Sequence, residues 1–171
     1  MKKKIPCVTD PEQERLDREY MEEAILLARE AEKLGEVPVG AILVMDGQII
    51  ARAHNLREKN KMATAHAELL AIEEACRKRG DWRLSGACLY VTMEPCPMCA
   101  GAIVNARIDR VVYGAKDYMA GCCGSLIDLN LYPFNHSFTI TRGVCGDECR
   151  QLLKDFFVKQ RQQKNDRILK D

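Results

Sequence analysis

The stretch ACLYVTMEPCPMCAGAIVNARIDRVVYGA, residues 87–115, changes its hydrophobic period twice. Residues 87–93 form an apolar run with aromatic and β-branched members, which reads as a strand that breaks at Pro95. PMCAGAIVNA is opened by a proline and rich in small residues, the pattern of a helix, and RVVYGA reads as a second strand after a short connection. A strand, a helix and a strand in this order form a βαβ unit, which places the strands side by side in a sheet covered by helices.

The flanking sequence extends the same layout. Asp10 and Pro11 supply an N-cap and a first helical residue, and Met21, Ala24, Ile25, Ala28 and Ala31 follow near helical period until Gly35. AILVMDGQIIARA, residues 41–53, reads as a hairpin closed at Asp46-Gly47, because a two-residue turn needs left-handed backbone at both positions. A further helix is expected from Thr64 to about Lys78, stopped by Gly80. Residues 116–134 are broken by glycines and read as a functional or oligomeric loop. FTITRGV reads as a short strand, and a basic amphipathic helix runs from about Gly146. One domain is expected over residues 10–171, with residues 1–9 as a flexible tail.

With 47% hydrophobic and 30% charged residues, the composition excludes a disordered, fibrous or membrane chain. No apolar run follows the basic start MKKK, and none reaches the ~20 residues needed to span a bilayer, so the expected location is cytoplasmic. Nine cysteines in such a chain point to metal binding before a disulfide framework. Residues 10–36 carry ten acidic and four basic groups, whereas residues 150–171 carry seven basic and three acidic ones. The basic end can be a solvated face or a nucleic-acid contact.

Cys96 and Cys99 sit two residues apart at a helix start, where both thiols can reach one metal ion and the helix N-terminus favours thiolates. The pair alone fits a structural zinc site, a redox dithiol or plain packing. His66 offers a third ligand, and three protein ligands leave a tetrahedral zinc with one open position for water. Glu68, two residues beyond His66, can then move protons without binding the metal. Without the two cysteines the same His-x-Glu would be an ordinary helix start with a solvated acid. The remaining cysteines and Trp82 are assigned to packing, with a second metal between Cys145 and Cys149 as a minor alternative.

HAE at 66–68 followed by PCPMC at 95–99 resembles the signature of zinc-dependent nucleoside and nucleobase deaminases, H-x-E and P-C-x-x-C. EVPVGAILV, Asn55, TAHAE, TMEPCPMCAGAI, GCCGSL, FNH and LLKDFF occur in an order similar to that of bacterial-type tRNA-specific adenosine deaminases, over residues 20–157. The resemblance implies a cytidine deaminase-like fold, a three-layer α/β/α domain around a mixed five-stranded sheet. It also implies one zinc per subunit on His66, Cys96 and Cys99, with Glu68 as the proton carrier. The implied reaction is hydrolysis of the 6-amino group of the wobble adenosine in a tRNA anticodon, by a homodimer. Asn55, Ala67 and Val39 would hold the base, while Asp117, Asn135, His136 and the basic terminal helix would meet the anticodon stem-loop. The chain departs from the family pattern at Met62, Ala63, Met119, Ala120, Ser137 and Val158, all on the implied RNA-facing rim. Deamination of a free base such as guanine or cytosine, and a non-catalytic zinc module, are the competing readings.

Overall fold

A computed structural model describes residues 10–168, so the expected tail at residues 1–9 lies outside the described residues. The first helix, α1 (Pro11–Lys33), starts as the sequence dictates: the Asp10 carboxylate accepts from the Glu12 amide at 3.1 Å, and Pro11 is the first helical residue. Strands β1 (Gly40–Met45) and β2 (Gln48–His54) form the hairpin, with φ of 51° at Asp46 and 72° at Gly47. Both central residues are left-handed, as a tight hairpin turn demands. A short helix, α2 (Arg57–Asn60), which the sequence pattern does not reveal, leads to α3 (Ala67–Arg79).

The βαβ unit is realised as β3 (Cys88–Met93), α4 (Pro97–Ala106) and β4 (Arg110–Ala115), followed by β5 (Thr139–Arg142) and α5 (Gly146–Ile168). Sheet order is β2-β1-β3-β4-β5, with β1 antiparallel to both neighbours and β3, β4 and β5 parallel. The sheet is therefore mixed and five-stranded, between two helical layers. Ala41, Leu43, Leu89, Val91, Val111 and Tyr113 face one layer, packing with Ala71 of α3 and Ile103 of α4. Ile42, Val44, Tyr90 and Val112 face the other, with Met21 of α1 and Leu152 of α5. Strand alternation thus feeds two cores, which is why β1 is buried along its whole length and reads as an unbroken apolar run. Each fully buried Leu or Ile contributes about 1.5–3 kcal/mol of transfer free energy.

Two contacts fix α1 on the sheet. At Gly40 a Cβ would lie 2.0 Å from the Ala24 carbonyl oxygen, so only glycine lets β1 start this close to the helix. At the other end, Asp17 is 3% exposed and accepts from Arg110 of β4 at 2.7 Å, Tyr90 of β3 at 2.8 Å and Gln13 at 2.9 Å. Burial pushes the Asp17 carboxyl up, but the Arg110, Tyr90 and Gln13 hydrogen bonds outweigh it and hold the group below the usual carboxylate range.

The charge asymmetry has a structural outlet. Acidic α1 and basic α5 lie in one layer, where Lys159 of α5 pairs with Glu32 of α1 at 2.8 Å, while Arg29 of α1 and Glu148 of α5 pair in the reverse sense at 2.9 Å. These pairs are exposed and each is worth under about 1 kcal/mol.

Two sequence expectations need correction. α3 begins at Ala67 and not Thr64, because His66 is its N-cap, with extended backbone at φ −79° and ψ 148°. Trp82 is not core packing: it is 51% exposed, with the Arg83 guanidinium 4.1 Å above its ring, an arrangement that needs no buried surface. The irregular stretch after β4 contains a 3-10 turn at Leu129–Leu131 and an isolated bridge between Cys123 and Asp128. Cys122, Cys123 and Cys149 are buried and Cys76, Cys88 and Cys145 partly so, consistent with packing. Among the described residues no helix is long and apolar enough to cross a membrane.

Candidate active site

Two helix N-termini meet beside the end of β3. His66 caps α3 and Cys96 caps α4, both with extended backbone and neither using its side chain to cap its own helix, so both side chains are free to turn toward each other. Pro97 opens α4, and Cys99 follows two residues later, fully buried. His66 Nδ1 lies 3.7 Å from Cys96 Sγ and 3.6 Å from Cys99 Sγ, and all three donor atoms are within 4.8 Å of one another.

These spacings test a metal directly. Zinc bonds of about 2.3 Å to sulfur and 2.0–2.1 Å to nitrogen, at tetrahedral angles, give a nitrogen-to-sulfur edge of about 3.6 Å. The side chains already stand on the corners of such a tetrahedron, so the donor set fits a metal ion. The hydrogen bond from Cys99, aided by His66, pulls the Cys96 thiol down to about 4. Cys99, held as the donor and buried, is pushed up, and the hydrogen bond to Cys96 raises His66.

Glu68 stands in the first turn of α3, 4% exposed. Burial pushes its carboxyl up to about 7; its own backbone amide, His66 and Cys99 pull the other way without cancelling that. A cleft of about 210 Å³ opens over this group. It is lined by His66, Glu68 and Cys96, by Val37, Val39, Asn55 and Arg57, and by Met93, Glu94, Asp117 and Ala120.

Two buried carboxylates that sequence reasoning passed over hold segments of this lining in place. Glu36, 1% exposed, accepts from the Lys59 amide at 2.7 Å, the Glu58 amide at 3.1 Å and Asn55 Nδ2 at 3.2 Å. It thereby fixes the start of α2 and orients Asn55. Glu94, 2% exposed, accepts from the Cys123 and Ser125 amides at 3.0 Å and the Asp117 amide at 3.1 Å. A Cβ at Gly121 would lie 2.5 Å from the Glu94 carboxyl carbon, so glycine lets the loop wrap this closely around the acid. Both glutamates stand inside motifs singled out above, EVPVG and MEPC, which was the available signal.

The structure brings His66, Glu68, Cys96, Cys99, Val39, Asn55 and Asp117 to one pocket, with Ala67 buried in the first turn of α3 behind it. Asn135 and His136 are elsewhere. Asn135 Oδ1 accepts from Arg107 at 2.7 Å and His136 Nε2 donates to the Ile108 carbonyl at 2.7 Å. Arg107 and Ile108 follow the C-terminus of α4, whose ten residues span roughly 15 Å from the cysteine end.

Residues 16–161 match the family described as MafB19-like deaminase, and the chain belongs to that family. The tRNA-specific adenosine deaminase of Bacillus subtilis (strain 168) is 54% identical over 149 residues, spanning 86% of this chain and 92% of that protein. A solved structure from biochemical and structural studies of A-to-I editing by tRNA:A34 deaminases at the wobble position of transfer RNA has a TM-score of 0.77. It is 43% identical and covers 79% of this chain and 99% of its own. An X-ray structure of guanine deaminase from Bacillus subtilis has a TM-score of 0.56 at 39% identity, covering 63% of this chain and 66% of its own. Within the family, the chain groups with the tRNA-specific adenosine deaminases.

Proposed function

We propose that this chain converts the wobble adenosine of a tRNA anticodon to inosine, with water as co-substrate and ammonia as second product. The observation that carries the reading is the cluster of His66 Nδ1 and two thiols at zinc-tetrahedron spacings, beside a buried glutamate at the floor of a pocket. The 54% identity to a tRNA-specific adenosine deaminase supports the choice of substrate.

His66, Cys96 and Cys99 would hold one zinc per subunit. Such an ion supplies Lewis acidity, which makes water a nucleophile near neutral pH. The residues of the chain do the rest. Glu68, buried at the pocket, takes one proton from the attacking water and gives it to adenine N1, then takes the second proton from the hydroxyl formed at C6 and gives it to the 6-amino group, which leaves as ammonia. Asn55, oriented by Glu36, and Val39 hold the splayed nucleotide in place against the backbone at Ala67. Asp117 faces the same mouth. An adenosine stacked in RNA cannot reach this floor, and a single-stranded anticodon loop makes its extrusion inexpensive.

Asn135, His136 and the basic α5 would meet the RNA outside the pocket, giving salt-dependent affinity from phosphate contacts. The exposed side chains of Leu126, Leu131, Tyr132 and Phe134 on the loop after β4 support a homodimer. Eight described cysteines are free, which suits a reducing cytoplasm.

The test is an assay of the purified chain on an anticodon stem-loop carrying a wobble adenosine, beside free adenosine, guanine and cytosine. Inosine should form in the stem-loop. Deamination of guanine alone would favour the free-base reading that the guanine deaminase likeness keeps in view.

A further inference from the structure

Asp117 and Ala120 line the pocket wall, but the two residues between them project away from the protein. Tyr118 is 70% exposed and Met119 87%. The backbone beneath them is tied down. The Asp117 amide donates to buried Glu94 at 3.1 Å, Asp117 Oδ1 accepts from the Met119 amide at 2.9 Å and the Ala120 amide at 3.1 Å, and the Gly121 amide donates to the Asp117 carbonyl at 2.9 Å. Among the described residues the aromatic pairs are Tyr20 with Tyr90, Tyr132 with Phe134, and Phe156 with Phe157, so Tyr118 has no ring partner. A large aromatic ring thus stands in solvent at the pocket mouth on a fixed base. Arg57 lines the same pocket, with about half its side chain exposed and its guanidinium 3.3 Å from exposed Glu58.

Extruding one base from a strand leaves its neighbour with an uncovered face. Proteins that hold single strands meet this need with an aromatic ring for the base and a cation for the backbone. We infer that Tyr118 is a stacking platform for the base adjacent to the reacting adenosine, with Arg57 of the same pocket meeting the phosphodiester. The inference rests on the RNA reading above. Tyr118 is here a binding and positioning residue and takes no part in the chemistry at Glu68. A phenyl ring should serve as well as a phenol, since stacking does not use the hydroxyl.

The experiment compares the wild type with Tyr118→Ala and Tyr118→Phe on the stem-loop RNA. Tyr118→Ala should raise KM about tenfold, within the range of a lost base-aromatic stack, and lower kcat less than about threefold. Tyr118→Phe should match the wild type. With 2-aminopurine placed on either side of the wobble adenosine, fluorescence at one position should fall when wild type or Tyr118→Phe binds, and not with Tyr118→Ala. An unchanged KM in Tyr118→Ala, or a Tyr118→Phe as weak as Tyr118→Ala, overturns the proposal. So does a change of sedimentation coefficient in Tyr118→Ala, which would make the ring a subunit contact. A wild type that deaminates a free base and leaves the stem-loop untouched removes the RNA reading itself, and the proposal with it.

Discussion

Glu94 and Glu68 line the same pocket and are buried to nearly the same degree, 2% and 4% exposed, yet their surroundings are opposite. Glu94 is ringed by three backbone amides from the loop it supports. Glu36, behind Asn55, likewise has three N–H donors, and Asp17 on the far helical layer has Arg110, Tyr90 and Gln13. Glu68 has no such ring of donors, and burial pushes it up. Three buried acids are thus committed to architecture, and the fourth is left free for the proton transfers proposed above. The difference lies in where the donors are, since all four side chains are carboxylates.

The contrast makes stability and activity separable. Glu94→Ala should cost the most stability, about 4 kcal/mol, because three amides lose their acceptor and the loop after β4 loses its anchor. A thermal melt should show a fall of roughly 10 °C. Asp17→Asn should cost about 3 kcal/mol at neutral pH by leaving Arg110 without its charge partner. The sign of its pH dependence follows from the depressed folded-state pKa. The contribution of Asp17 is fully present above the unfolded value of about 3.9 and is lost as pH falls through the lower folded value. Urea unfolding of wild type and variant should therefore converge in acid and stay apart from pH 5 to 8. Glu36→Gln should cost only about 1–2 kcal/mol, since one oxygen still accepts. Its mark should be a raised KM, read from initial rates on the stem-loop, as a neutral amide orients Asn55 less firmly than the carboxylate does.

Much of this was legible in the sequence because the signals are local. Asp46-Gly47, Asp10-Pro11 and the period changes across residues 87–115 each fix backbone geometry within a few residues. The cluster of His66, Cys96 and Cys99 was readable for the same reason: His66 and Cys96 are helix caps, and Cys99 lies one turn beyond. Glu36 and Glu94 were not legible as anchors, because their partners are mostly backbone amides 22 to 31 residues away. Every residue but proline has such an amide, so nothing in the sequence marks the partner. The four-residue α2 is too short to show a period, and it depends on Glu36 for its start. Trp82 misled for another reason: a lone tryptophan looks like core, and Arg83 beside it covers the ring without burying it.

Glu68→Gln should shift stability the least of the four, by less than about 1 kcal/mol, because no ring of donors depends on its charge. The most direct measurement is metal content and inosine formation on the stem-loop, taken from one preparation of this variant beside the wild type. The account predicts one zinc per chain in both proteins and a loss of at least about a hundredfold in the rate of the variant. A variant that keeps its zinc and forms inosine at the wild-type rate would contradict it.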